Sequence, residues 1–279
     1  MKTLMKYLLA TISAIALLSA GLLADVDAPS ALPPCIVQYV RTQNTITTTR
    51  IVLYRGDSTF SELFVTNDTL DANNPHYSSP PHSGTYAFTI DPQDPAHASI
   101  SYNTTSGALP NDNLYFEKAT SGRLTASPLT VTSEQSYFTL SPLQVNVTGG
   151  VAFSTKCALA SGGSVTDGIA IGPEGPRWVL FRAVGASLAK YGVSGGVAGP
   201  MFTLYNSHQA IVAKSSVWSS DQNLVNGYNT VFSIAGEFPL EDGSDESVLL
   251  VLLQPGTYTA VFTASGTGQI LCEAYTLPY

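Results

Sequence analysis

The chain has 279 residues, with 12 basic against 20 acidic ones and a formal charge of −8. An acidic chain without a basic cluster excludes nucleic acid and anionic membrane surfaces as natural partners. Only 11% of the residues are charged and 44% are hydrophobic, which excludes disorder, since that needs low hydrophobicity and high charge density.

Residues 1–24 read as a signal peptide. Lys2 and Lys6 are the only charges there, Leu8 to Ala24 is almost wholly apolar, and Ser19, Ala20 and Ala24 supply small residues for cleavage. Cleavage after Ala20 or Ala24 fits; the alternative for the same run is a retained anchor. Loss of Lys2 and Lys6 takes the balance from twelve basic residues to ten against twenty acidic, or −10. Cys35 lies too far beyond the apolar run for a lipoprotein, and no other stretch is long and apolar enough to span a bilayer. Residues 25–34, DVDAPSALPP, are a short Pro-rich linker.

Residues 35–141 alternate short apolar/polar runs with turns, as in Tyr86, Phe88 and Ile90, separated by RGDS, DPQDP, PNDN and TSG. That pattern predicts an antiparallel β-meander domain. The stretch 66–84 has no period and reads as a long exposed loop.

Residues 142–279 predict a second β-domain, a jelly-roll-like sandwich of about eight strands. RWVLFRAVG and the continuous apolar run VLLVLL read as strands, the latter buried on both faces. QPGT predicts a tight turn that makes Thr257 to Ala264 the hairpin partner of VLLVLL. Two short helical pieces are expected, at Ser187–Tyr191 and Asn226–Ile234.

This second half resembles an uncharacterised C-terminal β-domain of exported bacterial proteins. The resemblance rests on Arg182-Ala183-Val184-Gly185-Ala186-Ser187-Leu188, Tyr191-Gly192-Val193, Ser247-Val248-Leu249-Leu250, Pro255-Gly256-Thr257-Tyr258-Thr259-Ala260 and the closing Glu273-Ala274-Tyr275, with Phe153 to Lys156 as an opening strand. Ala186 stands where the family has proline, and cysteines stand at 157 and 272. The first half is similar, more loosely, to GTY/TSG meander modules of such proteins. The resemblance implies a surface or secreted accessory module and no catalytic residues.

The three cysteines are Cys35, Cys157 and Cys272. Export permits a disulfide, and one between Cys157 and Cys272 would join the first and last strands of the second half; three small buried thiols fit equally. No pair has C-x-x-C spacing. Gly192-Val193-Ser194-Gly195-Gly196 satisfies G-x-S-x-G. A nucleophile elbow, however, needs a strand before the serine and a helix after it, and here the helical piece comes first. A structural turn is the expectation.

His76, His82 and His97 fall near Asp68, Asp71, Asp91 and Asp94 without helical i, i+4 spacing, so exposed loop residues are expected rather than a zinc site. No cofactor is expected. Calcium is the one ion for which oxygen ligands cluster, in TNDTLDANN and LEDGSDES, but neither has EF-hand spacing. Trp218, flanked by polar residues in SSVWSSDQN, is the candidate ligand-binding aromatic, whereas Trp178 opens an apolar strand and belongs in the core. Arg182 and Glu273, each within an apolar strand, predict a partly buried structural ion pair.

The sequence thus predicts an exported, non-enzymatic all-β protein of the cell surface, the extracellular medium or the periplasm. It would act as an accessory or adhesion module on a cell-envelope or extracellular polymer or protein, without spanning the membrane once its signal is removed. The alternative is a carbohydrate-binding module that uses exposed aromatics, Trp218 among them.

Overall fold

The computed structural model describes residues 26–43, 46–67, 81–104, 107–125, 136–143 and 150–277. The chain is all-β. The expected signal and most of the 66–84 loop lie outside the described residues.

The first eight strands are β1 (Cys35–Gln43), β2 (Ile46–Tyr54), β3 (Thr59–Asn67), β4 (Ser83–Asp91), β5 (Asp94–Thr104), β6 (Asp112–Lys118), β7 (Ser121–Thr125) and β8 (Tyr137–Pro142). Each pairs antiparallel with the next, and β8 returns to β1 through Tyr39↔Phe138 and its neighbours, so the ladder closes into a barrel. Closure removes the exposed edges of an open sheet. Alternation sets the two faces. Val37, Tyr39, Val52, Tyr54, Phe60, Ile100, Leu114, Phe116 and Phe138 point inward and form one buried cluster. The outward positions of β4 and β5, among them Thr85, Thr89, Ser101 and Asn103, are polar or small.

The remaining strands are β9 (Gly150–Leu159), β10 (Val165–Ile171), β11 (Arg177–Val184), β12 (Met201–Asn206), β13 (Ile211–Lys214), β14 (Ser216–Val217), β15 (Ser247–Leu253), β16 (Gly256–Thr263) and β17 (Gly268–Thr276). They form a four-stranded sheet, β10-β16-β12-β13, and a five-stranded sheet, β14-β15-β11-β17-β9. Phe181, Leu249 and Ile270 of the larger sheet meet Phe202, Leu204 and Phe262 of the smaller in a second buried cluster. The expected β15–β16 hairpin does not form. Both edges of β15 are taken, by β14 and β11, so the chain turns at Gln254–Pro255 and crosses to the other sheet.

Among the described residues two helices interrupt the strands: a 3₁₀ helix at Ala186–Tyr191 and α1 at Gln222–Ala235. The longer helix starts four residues before the expected piece because Asp221 caps it, accepting from Asn223 N at 2.7 Å. Gly236 closes it in the left-handed region, with φ of 80°. No helix among the described residues is long and apolar enough to cross a membrane.

Helix α1 is the joint of the molecule. Its face of Leu224, Val225, Tyr228, Val231 and Phe232 meets Ile36, Ile51, Leu53 and Leu63 from the barrel and Trp178, Leu180, Val248 and Leu250 from the larger sheet, in a single buried cluster. Gly227 lies so close to β3 that a Cβ there would overlap Leu63 Cδ2. Polar contacts pin the same joint. Trp178 Nε1 donates to Ser141 Oγ at 2.8 Å, Arg55 Nη2 to Thr230 Oγ1 at 3.1 Å, and Asn223 Nδ2 to Pro81 O at 2.9 Å. The barrel and the larger sheet therefore share one core.

Candidate functional site

Arg182 on β11 and Glu273 on β17 stand directly opposite each other in the ladder. Arg182 Nε lies 3.2 Å from Glu273 Oε2, and both residues are buried. The guanidinium also donates to Phe238 O at 3.0 Å and is bracketed by the rings of Phe238, at 4.2 Å, and Phe232, at 4.9 Å. Tyr275 donates to Glu273 Oε1 at 2.6 Å. Burial first, then its carboxylate partner, push the Tyr275 hydroxyl far above the ordinary tyrosine range. Glu237 stands 3.7 Å from the same guanidinium. Its carboxyl is raised by burial and by Glu273, with Arg182 pulling the other way. The group knits β11, β17 and the end of α1 together.

Trp218 is corrected by its surroundings. It is fully buried, tilted 5.9 Å from Phe232, and its Nε1 donates to Ser244 Oγ at 2.9 Å. A ring with no exposed face has no platform to offer a sugar. Ser244 in turn donates to Glu246, a buried carboxylate that also takes Ser187 Oγ–H at 2.6 Å and the backbone N–H groups of Ser187 and Gly185. Glu246 thus caps the start of the 3₁₀ helix from across the fold.

The glycine-rich stretch after that helix is a packing device. A Cβ on Gly185 would overlap Val197 O, and one on Gly196 would overlap Gly185 O. Gly192 closes the helix at φ 79°. Ser194 is exposed in irregular chain, with no strand before it or helix after it.

All three cysteines are free thiols. Cys157 pairs with Ile270 and Cys272 with Thr155, so the two cysteines are diagonal neighbours on β9 and β17, not opposite partners. Diagonal positions are about 7–8 Å apart, beyond the reach of an unstrained disulfide; of the two readings the sequence left open, the free thiols are the ones present. Burial pushes the Cys35 thiol up to about 12.

The carboxylates of the oxygen-rich segment Leu240–Ser247 turn to different partners. Glu246 faces inward, and Asp245 Oδ2 accepts from Gly199 N at 2.6 Å. His82 and His97 belong to different clusters, and no set of three His, Cys, Asp or Glu residues arranged to hold a metal occurs among the described residues. TNDTLDANN and His76 lie outside the described residues.

Among the described residues the densest charged site lies inside the barrel, and no sequence motif announced it. Arg50 on β2 reaches Glu62 Oε1 on β3 at 2.6 Å and Asp112 Oδ2 on β6 at 2.7 Å. Its guanidinium lies 5.0 Å from the ring of Tyr39 and 5.1 Å from that of Tyr102. Tyr102 donates to Asp112 Oδ2 at 2.5 Å, and the hydroxyls of Tyr39, Tyr54 and Tyr102 form a chain at 2.7 and 2.5 Å. At the rim, His82 Nδ1 and His82 N both lie 2.8 Å from Glu62 Oε2. Burial lifts all three tyrosine hydroxyls well above their ordinary range. The signal was parity. Arg50 shares its face with Val52 and Tyr54, Glu62 with Phe60, and Asp112 with Leu114, so charges recur on the apolar side of three strands.

No protein-family model and no curated protein matches the chain. Among solved structures it is similar to an exo-beta-1,3-galactanase from Phanerochaete chrysosporium, at 12% identity over 82% of this chain and 65% of that one, with a TM-score of 0.22. It is also similar to a Bacillus thuringiensis Cry1Da tryptic core variant, at 11% identity over 93% of this chain and 54% of that one, with a TM-score of 0.23. The chain spans less than two thirds of the length of either.

Proposed function

We propose that the protein is an exported, non-enzymatic binding protein of the cell surface or extracellular space, working as an accessory or adhesion module. In this reading the first half is a meander module closed on itself. The second is a jelly-roll-like sandwich of the kind carried by exported bacterial proteins, as the motifs from Arg182 to Tyr275 imply. The observation that carries the reading is the direction of the chemistry-bearing side chains. Arg50, Glu62 and Asp112 pair with one another in the barrel lumen, and Arg182, Glu273 and Glu246 hold elements together in the other half. Charge invested in rigidity suits a body that presents a surface rather than one that turns over a substrate.

The test is retention of the purified protein on isolated bacterial cell envelopes and on insoluble polysaccharides. Sedimentation with either supports the proposal. A protein that stays wholly in the supernatant with both would overturn it.

A further inference from the structure

One row of outward-facing side chains differs from the rest of the barrel wall. His97 on β5 stands opposite Tyr115 on β6, Tyr115 opposite Arg123 on β7, and Arg123 opposite Tyr137 on β8. Their neighbours Ala98, Leu114 and Phe138 are buried in the barrel core, so all four of these planar groups face outward. The rings of His97 and Tyr115 lie 4.7 Å apart, and the Arg123 guanidinium lies 5.4 Å from the Tyr115 ring. Arg123 is 53% exposed in its side chain and Tyr137 is 48% exposed.

We propose that this row binds an uncharged polysaccharide chain. A pyranose has an apolar face and a rim of hydroxyls, and is held by a flat ring flanked by polar groups. Tyr137 supplies the exposed ring. Glu117 Oε1 fixes Arg123 Nε at 2.7 Å and so orients the guanidinium beside it as a hydroxyl-binding fork. Asp94 Oδ2 lies 2.7 Å from His97 Nδ1 and fixes the ring, so that Nε2 is the nitrogen left to meet a sugar hydroxyl at the far end of the row. One guanidinium faces two carboxylates, Asp94 and Glu117, so the row carries no positive excess to draw a polyanion. Four adjacent strands span about 14 Å, which suits several linked rings better than one free sugar. The site rests on the reading of the protein as a binding protein, and it owes nothing to Trp218.

The experiment is a depletion assay of the purified protein on cellulose, an insoluble β-1,3-glucan and an insoluble mannan, with polygalacturonate as the charged control. Retention on at least one uncharged polymer is expected. Tyr137→Ala and Arg123→Ala should each weaken it about tenfold, while Tyr191→Ala, which removes an exposed ring elsewhere, leaves it unchanged. Both test positions are on the surface, so melting temperatures should stay within about 2 °C of the parent. Failure to bind any uncharged polymer, equal retention on polygalacturonate, or parental binding by both variants overturns the site. Envelope retention that survives in both variants would leave the binding-protein reading standing without this site. Loss of envelope and polysaccharide retention in the parent itself would remove both.

Discussion

The two halves of the molecule bury an arginine in opposite ways. In the barrel, Arg50 is enclosed by its own ladder, with two carboxylates at 2.6 and 2.7 Å and tyrosine hydroxyls completing the circuit. In the two-sheet half, Arg182 has one carboxylate at 3.2 Å, a second at 3.7 Å, and two phenyl rings across its faces. The first site spends charge on charge and needs little from its neighbours. The second depends on α1 and the Phe238 turn to close over it. A closed barrel supplies ligands from all round its lumen, whereas a sheet face supplies them from one side and must borrow the rest.

That difference predicts where the molecule breaks most easily. Arg182→Ala strands Glu273 in the core and removes the bracket between Phe232 and Phe238. Loss of one partner of a buried pair costs about 3–5 kcal/mol, so the melting temperature should fall by about 10 °C for a chain of this size. Pairing Arg182→Met with Glu273→Leu should recover most of the loss, because neither member of the pair is then left buried without its partner. Thermal unfolding of the three proteins checks both outcomes. An unchanged melting temperature in Arg182→Ala would rule out the pair as a support of the fold.

The Arg182–Glu273 pairing was legible because each charge interrupts an apolar strand, and two such interruptions call for each other. The Arg50 network carried the same kind of signal on β2, β3 and β6. There the strands mix polar and apolar residues on both faces, so one more charge did not stand out. Polar flanks suggest exposure for Trp218, and the ring is buried. Ser219 beside it donates to Ser244 O and the indole N–H donates to Ser244 Oγ, so the polar flank is satisfied within the fold while the ring packs on Phe232 of α1. The β15–β16 turn was read as a hairpin because local turn chemistry carries no information on whether the edges of β15 are already occupied. Barrel closure was equally invisible, since it depends on β1 meeting β8 about a hundred residues later.

The joint between the halves gives the next largest effect. Gly227→Leu places a side chain where Leu63 already sits. Overpacking of this kind costs about 1–3 kcal/mol, and the better helix propensity of leucine returns only part of it. If the two halves share one core, this single change should lower the stability of both together. Hydrogen exchange would then show faster exchange in β2 and β3 of the barrel as well as in β11 and β15. Exchange that rises in α1 alone would show that the barrel stands without the joint.

The smallest effect is the most discriminating, because it reports on each half by the same chemistry. Tyr39, Tyr54 and Tyr102 in the barrel, and Tyr275 in the other half, all have hydroxyls raised by burial. A raised folded-state value means that the unfolded chain releases its proton first. Stability from these groups is therefore intact below the ordinary tyrosine value of about 10 and falls as pH rises through it. Tyrosinate absorbance should show a cooperative step as the buried rings are released. Tyr54→Phe should cost about 1 kcal/mol and remove one tyrosine from that step, and Tyr275→Phe should remove one from the same step if the shared core unfolds as a unit. Two separated alkaline steps, each shortened by only one of the variants, would instead make the barrel and the two-sheet half independent folding units joined by a weak contact at α1.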